Sequence, residues 1–434
     1  MSGATVLVTE AGSGPANNLI RSLRAGDPSL VVVGCHDDRF ALKKSTADRN
    51  YAVPGDPRML AAIARLVRQE NVALVIPTTD ASVLRLAQAR GPLRQRLFLP
   101  RLRALQRCRN KDELAAFLRA RGIPAPLTVR VRSLATLAAS FRRVASGSRA
   151  WCRIRTGSGS SGAAPVASAA VARHWIECWR QMRGVPVTAF TLSEYLPGRD
   201  FGCQTLWLEG RLVLAKTFER LAYFVGGGTP SGVSSVASLA KTVREPRVVD
   251  VAARAVRAVD RRARGIFSVD LKEDARGVPC VTEINAGRFL AGTNLLDLTG
   301  KHNMAVTYVR LALRKNIDIA EPYDTDPDHY IVRDLDTLPD LIHADELFSD
   351  SDGGAPTLTP RAGGGRTRRR SGRAAPPARA TTAYRDSGTT RPRWRGAPTP
   401  PPALPRAPRH ARGSTGSERR VAASPDARRD RARS

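Results

Sequence analysis

The sequence predicts an α/β protein with a parallel sheet at its start. Two observations carry this reading. Short, continuous apolar strands alternate with helical stretches over roughly the first hundred residues, and Gly, Pro and Asp cluster where the strands end. Thr5–Thr9 is the first such run, followed by Gly12-Ser13-Gly14 and a helix over 16–24. Residues 30–34 make a second strand, ending in Cys35-His36-Asp37-Asp38. Residues 57–70 are helical, and 72–76 form a buried strand ending at Pro77-Thr78-Thr79-Asp80. Such sheets bind ligands at the carboxyl ends of their strands, where Glu10, Asp37 and Asp80 sit. A helical pattern over 102–121 stops at Gly122-Ile123-Pro124. Residues 127–190 mix strands with a Gly/Ser-rich loop. Residues 192–289 hold at least four strand-like runs and a helix over 245–262, and a last helix covers 303–314. There is no internal repeat.

Composition narrows the function. The chain has 434 residues, 42% of them hydrophobic and 5% aromatic, enough for two or three domains with real cores. No apolar run approaches the ~20 residues that span a bilayer, and the first residues lack the layout of a signal peptide, so a cytoplasmic protein is expected. None of the six cysteines lies within four residues of another, which argues against a zinc ribbon or redox pair. The formal charge is +31, but residues 351–434 alone contribute 20 Arg against 5 acidic residues. That tail has no Ile, Phe, Met, Asn, Gln, Cys or Lys, and such a polymer cannot bury enough apolar surface to offset chain entropy. It reads as disordered. A nucleic-acid-binding arm, an inert extension and the product of a reading-frame shift in GC-rich DNA all fit it. The abrupt change of composition favours the frame shift, and resequencing the gene tests that.

The chemistry concentrates in Phe267-Ser268-Val269-Asp270, a turn at Asp274-Ala275-Arg276-Gly277, and Val281-Thr282-Glu283-Ile284-Asn285. Side chains alternate along a strand, so Glu283 and Asn285 share one face and Ile284 points to the other. If the hairpin closes at Ala275-Arg276, Asp270 falls near-opposite Glu283. Two carboxylates and an amide oxygen beside an apolar sheet suit Mg²⁺ (or Mn²⁺), which completes its shell with water and phosphate oxygens.

Glu283-Ile284-Asn285-Ala286-Gly287-Arg288-Phe289 resembles the Glu-X-Asn-Pro-Arg signature of the ATP-grasp superfamily, in its carbamoyl-phosphate-synthase-like branch. The resemblance implies that Asp270, Glu283 and Asn285 hold the metal against ATP phosphates. It also implies that Arg288, one residue later than usual, faces the transferring phosphoryl group. Asn110-Lys111-Asp112 is similar to the family's Asp-Lys element, with Lys111 on phosphate. Arg153 stands where a Lys normally ends the strand before a Gly/Ser lid, here Gly157-Ser158-Gly159-Ser160. Glu194-Tyr195-Leu196-Pro197-Gly198-Arg199-Asp200 resembles the adenine and ribose hinge, which assigns Glu194, Tyr195, Leu196 and Asp200 to the nucleoside. The strand ending at Lys216 delivers a further cation towards the phosphates. The loop 226–232 resembles a Gly-X-His-Ser-Gly segment with Pro230 in place of His, which hints at a different acceptor.

The fold that follows is an ATP-grasp domain preceded by a Rossmann-like parallel-sheet domain. Its expected parts are the preceding domain over 1–104, a lid subdomain over 105–190, a catalytic core over 191–350 and the basic tail over 351–434. The implied activity is ATP- and Mg²⁺-dependent ligation, in which a carboxylate is activated as an acyl phosphate for an amine or similar nucleophile. The implied partners are ATP and small carboxylate and amine substrates, with no membrane, with nucleic acid only through the tail, and with a homodimer compatible. Three rivals remain. One is an ATP-binding protein that has lost catalysis, one a nucleic-acid-binding protein acting through the tail. The third is an NAD-binding enzyme, which Asn17 opposes by replacing the third glycine of the dinucleotide fingerprint.

Overall fold

The computed structural model describes residues 3–145, 149–157, 160–224, 234, 236–334 and 340–345. All of them fall within one compact unit, Met1–Leu358. The basic tail, Ser158 and Gly159 of the lid loop, and the Pro230 loop lie outside the described residues.

Three sheets make the frame. The first is wholly parallel, as the sequence predicts: β1 (Thr5–Thr9), β2 (Val31–His36), β3 (Arg49–Ala52) and β4 (Leu74–Ile76), in the order β3-β2-β1-β4. Val6, Leu7 and Val8 of β1 are all inaccessible to solvent, which is why β1, β2 and β4 read as unbroken apolar runs rather than alternating ones; the edge strand β3, Arg-Asn-Tyr-Ala, is largely exposed and carries no such run. The second sheet is antiparallel and consists of β5 (Thr128–Arg130), β6 (Ala150–Ile154), β7 (Ala164–Val166) and β8 (Phe190–Glu194), ordered β5-β8-β6-β7.

The third sheet holds β9 (Asp200–Leu208), β10 (Arg211–Tyr223), β11 (Ala237–Thr242), β12 (Gly265–Glu273), β13 (Pro279–Ala286), β14 (His329–Val332) and β15 (Asp340–His343). Its order is β13-β12-β9-β10-β11-β14-β15, with every pair antiparallel. One face of this sheet presents Phe267, Val269 and Leu271 to the helix Pro246–Val259, whose Val248, Val251, Ala252 and Val256 close the core. Burying each of the larger side chains contributes about 1.5–3 kcal/mol, so this layer fixes the sheet firmly. On the other face Leu206, Leu214 and Ile266 pack on Met304 and Tyr308, and Asp270 and Glu283 stand partly open beyond them.

The helical stretch expected over 102–121 is two helices, Leu102–Arg109 and Lys111–Arg119. Asn110 between them is extended, at φ −97° and ψ 110°. The break has a local reason: the Lys111 N–H donates to the Arg155 carbonyl at 3.1 Å, a bond that a continuous helix would have spent internally.

Candidate functional site

The register of β12 and β13 sets the site. Asp270 pairs directly with Glu283, and Ser268 with Asn285, so both carboxylates and the amide emerge on one face. The ladder slips after Asp270, leaving Thr282 as the extra residue, and its hydroxyl donates to the Asp270 carbonyl at 3.1 Å. Asn285 Nδ2 donates to Asp270 Oδ2 at 3.0 Å, which leaves Asn285 Oδ1 as the acceptor for Arg288 Nη2 at 2.6 Å. Asp270 and Glu283 side chains are 23% and 20% exposed, open enough to take a ligand and shielded enough to need counter-charge.

Each carboxylate has that counter-charge. Lys111, at the first turn of its helix, places Nζ 3.1 Å from Glu283 Oε1 and donates to the Gly157 carbonyl at 2.6 Å. Arg153, at the end of β6, lies 3.8 Å from Glu283 Oε2 and donates to the Thr282 carbonyl at 2.7 Å. Burial pushes the Arg153 guanidinium down from its ordinary value, and Glu283 and Asp270 only partly offset this. Its Nε is buried with no hydrogen-bond partner among the described residues. The small sheet and the large one thus meet on a single carboxylate, Glu283.

Asp270 is taken by Arg220, a residue that the sequence reading passed over. Arg220 Nη1 also donates to Asp200 Oδ1 at 2.8 Å and to the Phe201 carbonyl at 2.9 Å. Burial lowers the affinity of this guanidinium for its proton, but Asp270 and Asp200 outweigh burial and hold it above the usual arginine range. The reach of Arg220 across β9 depends on Gly202. A Cβ there would stand 2.3 Å from Phe218 Cζ and 3.2 Å from Arg220 Nη2. The signal was present in the sequence: Lys216, Phe218 and Arg220 alternate onto one face of β10, opposite Gln204, Gly202 and Asp200.

Two expected residues are placed differently. Lys216 shares the right face of the sheet, but its side chain is wholly buried, 3.2 Å from Asp324 Oδ2 and bonded to the Thr299 carbonyl. It pins the segment after the last long helix to the sheet and presents no charge to solvent. Asp200, expected beside the ribose, has its oxygens on Arg220 and on the Tyr223 hydroxyl at 2.6 Å. It belongs to the carboxylate cluster.

Glu194, Tyr195 and Leu196 line a cavity of about 650 Å³ together with Arg119, Pro124 and Cys280. Glu194 Oε2 accepts from the Leu127 N–H at 2.8 Å, which holds this carboxylate at the end of β8. At the far side, Arg288 Nε lies 2.5 Å from Asp80 Oδ1, tying the hairpin to the carboxyl ends of the parallel sheet. There Glu10 accepts from Thr78 Oγ1 at 3.0 Å and Ser82 Oγ at 3.1 Å, at the edge of a cavity of about 180 Å³ also lined by Asp37 and Arg85.

The donor set fits a hard divalent cation: two carboxylates on paired positions and one amide oxygen, with Asp270 and Glu283 partly open to solvent. Among the described residues no three His, Cys, Asp or Glu converge as a self-sufficient metal cage, so such an ion would need ligands from water or a phosphate.

No protein-family model and no curated protein matches the sequence. Solved structures do. An L-amino acid ligase from Bacillus licheniformis is 14% identical, with 76% of this chain and 79% of that one aligned at a TM-score of 0.57. The biotin carboxylase domain of a Hydrogenobacter thermophilus 2-oxoglutarate carboxylase, solved with MgADP, ADP and bicarbonate, is 12% identical over 76% and 74% of the two chains, at 0.59. A carboxyaminoimidazole ribonucleotide synthase from Aspergillus clavatus, complexed with ATP, is 15% identical over 76% and 82%, at 0.57. These are ATP-grasp ligases. This chain has the ATP-grasp fold, with a Rossmann-like parallel sheet ahead of it.

Proposed function

We propose that the protein is an ATP- and Mg²⁺-dependent ligase that activates a carboxylate as an acyl phosphate and couples it to an amine or a similar nucleophile. The carrying observation is Asp270 facing Glu283 across one register position, with Asn285 beside them and Lys111, Arg153 and Arg288 around them. Asp270, Glu283 and Asn285 would hold Mg²⁺ or Mn²⁺, which when bound offsets phosphate charge.

The cavity beside Glu194, Tyr195 and Leu196 has room for a nucleoside, with Glu194 for its hydroxyls. Lys111 and Arg153 reach the cluster from the lid side, and Gly157 and Ser160, both with positive φ, flank the loop that would close over the phosphates. Backbone N–H groups of a Gly/Ser loop suit phosphate oxygens, and Ser158 and Gly159 at its centre lie outside the described residues. Catalysis here is positioning and charge neutralisation: carboxylate oxygen attacks the γ-phosphorus, ADP leaves, and the amine then displaces phosphate from the acyl carbon.

An anionic substrate has a landing place further along. Arg333 is pushed below its usual range by burial and by the charge of Arg21, and its Nε has no hydrogen-bond partner among the described residues. Gly292 lies beside it, where a Cβ would stand 3.9 Å from Arg333 Nη1. The Glu10 and Asp37 cavity, on the far side of the Arg288–Asp80 pair, supplies carboxylates for an amine acceptor. A place in the cytoplasm agrees with six unpaired cysteines, five of them buried. No helix among the described residues is long and apolar enough to cross a membrane.

An ADP-release assay with pools of carboxylates and amines tests the proposal, comparing wild type with Glu283→Gln. Release should require one carboxylate and one amine together, and the variant should lose about a hundredfold or more. Equal release from both proteins would remove the catalytic assignment.

A further inference from the structure

A third cavity, of about 600 Å³, lies away from all of these residues, between the segment that follows β4 and the turn before β12. Its size is that of a small-molecule site, within the usual ~300–1,000 Å³. Leu97, Leu99 and Pro100 give it an apolar floor, and Arg90, Arg94, Arg101, Arg262 and Arg264 stand around it against a single acid, Glu209.

The arginines are unevenly committed. Arg262 is clamped to Glu209 Oε2 through Nε at 3.1 Å and Nη2 at 2.9 Å. Arg101 leans towards Asp260 at 3.7 Å, beyond hydrogen-bond length. Arg90, Arg94 and Arg264 have no carboxylate partner among the described residues. Arg264 lies with its guanidinium 5.0 Å from the Phe98 ring centre, and its Nε is buried without a hydrogen-bond acceptor. A desolvated guanidinium N–H with nothing to donate to costs free energy unless an acceptor arrives from outside.

The floor is held rather than collapsible. The Phe98 carbonyl accepts from the buried Tyr308 hydroxyl at 2.7 Å, and Val75 N–H donates to the Arg96 carbonyl at 2.8 Å. Gly265, at φ +80°, lets β12 pass so close that a Cβ would stand 2.7 Å from the Phe98 oxygen. The cavity is therefore preformed, so a ligand would not have to order it first.

We propose that this cavity is a second anion site, distinct from the carboxylate cluster, and that it takes a nucleoside diphosphate. The apolar floor would carry the base and sugar, while Arg90, Arg94 and the Arg264 guanidinium would take the phosphates in charge-assisted, fork-like contacts. One wall comes from the parallel-sheet region and the other from the large sheet, through Glu209, Arg262 and Arg264. Occupancy would hold the two against each other.

Equilibrium dialysis of labelled ADP with Mg²⁺ against the full chain tests this. Wild type should bind two equivalents, and Arg90→Ala/Arg94→Ala should lose one of them or weaken it by about tenfold or more per arginine, the scale of a charge-assisted hydrogen bond. Both side chains are exposed, so folding should survive, and matching thermal melts would verify it. Arg90→Glu/Arg94→Glu should abolish the same equivalent. Glu283→Gln should keep it, which separates this site from the proposed catalytic one. An unchanged stoichiometry in both arginine variants, including binding that merely follows the tail arginines, would overturn the proposal.

Discussion

Arg220→Met is the sharpest probe of the carboxylate cluster. The Arg220 side chain is 10% exposed and bridges Asp200 and Asp270. Its loss leaves Asp200 with the Tyr223 hydroxyl and a distant Lys272 at 3.7 Å, and Asp270 with only the Asn285 amide at 3.0 Å. Two unit charges ~4 Å apart attract by about 4 kcal/mol at an effective dielectric constant near 20. Water reaching Asp270 and Asp200 lowers this, so a net loss of about 2–4 kcal/mol follows, in line with breaking a largely buried pair. If a divalent cation binds Asp270 and Glu283, it replaces the lost charge, and an ion at a hundred times its Kd returns about 2.7 kcal/mol. Thermal melts in saturating MgCl₂, and in KCl of matched ionic strength, read both effects. The variant should melt several degrees lower in KCl and recover much of the difference in MgCl₂, with a larger Mg²⁺ response than wild type. An equal Mg²⁺ response in the two proteins would show that Arg220 and the cation do not share Asp270.

Gly202→Ala should destabilise by about 1–3 kcal/mol in urea melts and weaken ADP release, because its methyl would displace Phe218 and then Arg220. Lys216→Met should cost about 3–5 kcal/mol by leaving Asp324 buried without its cation, while ADP release per folded molecule stays near wild type. The same pair gives a pH dependence. Burial raises the Asp324 carboxyl, but N–H donors from Lys301 and His302 together with Lys216 outweigh it and hold the group below the usual aspartate value. A depressed folded value means the stabilisation is present above about pH 3.9 and lost as pH falls through the folded value. Asp324→Asn should therefore flatten the acid limb of the stability curve measured by thermal melts.

The hairpin was legible in part: strand alternation put Glu283 and Asn285 on one face, and a turn at 274–277 brought Asp270 near Glu283. Their direct pairing depends on the extra residue Thr282, which shifts the register by one and which neither local rule gives. The parallel sheet was legible for a similar reason, since strands buried on both faces cannot alternate. Lys216 was misjudged because alternation gives a face and not a neighbour. Asp324 and the Thr299 carbonyl close over it from far along the chain, which no local pattern announces. Asp200 was drawn to the ribose by its nearness in sequence to Glu194, whereas the turn at Pro197-Gly198 starts a new strand in a different sheet. The break at Asn110 was hidden too, since its cause is a carbonyl on Arg155.

The cluster sets Asp80, Asp200, Asp270 and Glu283 against Lys111, Arg153, Arg220, Lys272 and Arg288. Charge pairing at this density argues for exchange rather than for stability alone. Partly exposed ion pairs contribute little, and a well-packed apolar sheet face would be at least as stable. Under the proposed reading, each pair has a second partner in waiting, with a divalent cation for the acids and phosphate oxygens for the bases. Arrival of the metal-bound nucleotide would then trade one set of pairings for another with few charges left unpaired. Lys111, Arg153 and Arg220 reach the hairpin from three different elements, so such a trade would also change how those elements are held together. A ligase that must admit substrates, exclude water and release product needs its lid coupled to occupancy in this way. Glu283, the one carboxylate shared by two of those elements, is where that coupling would be read first.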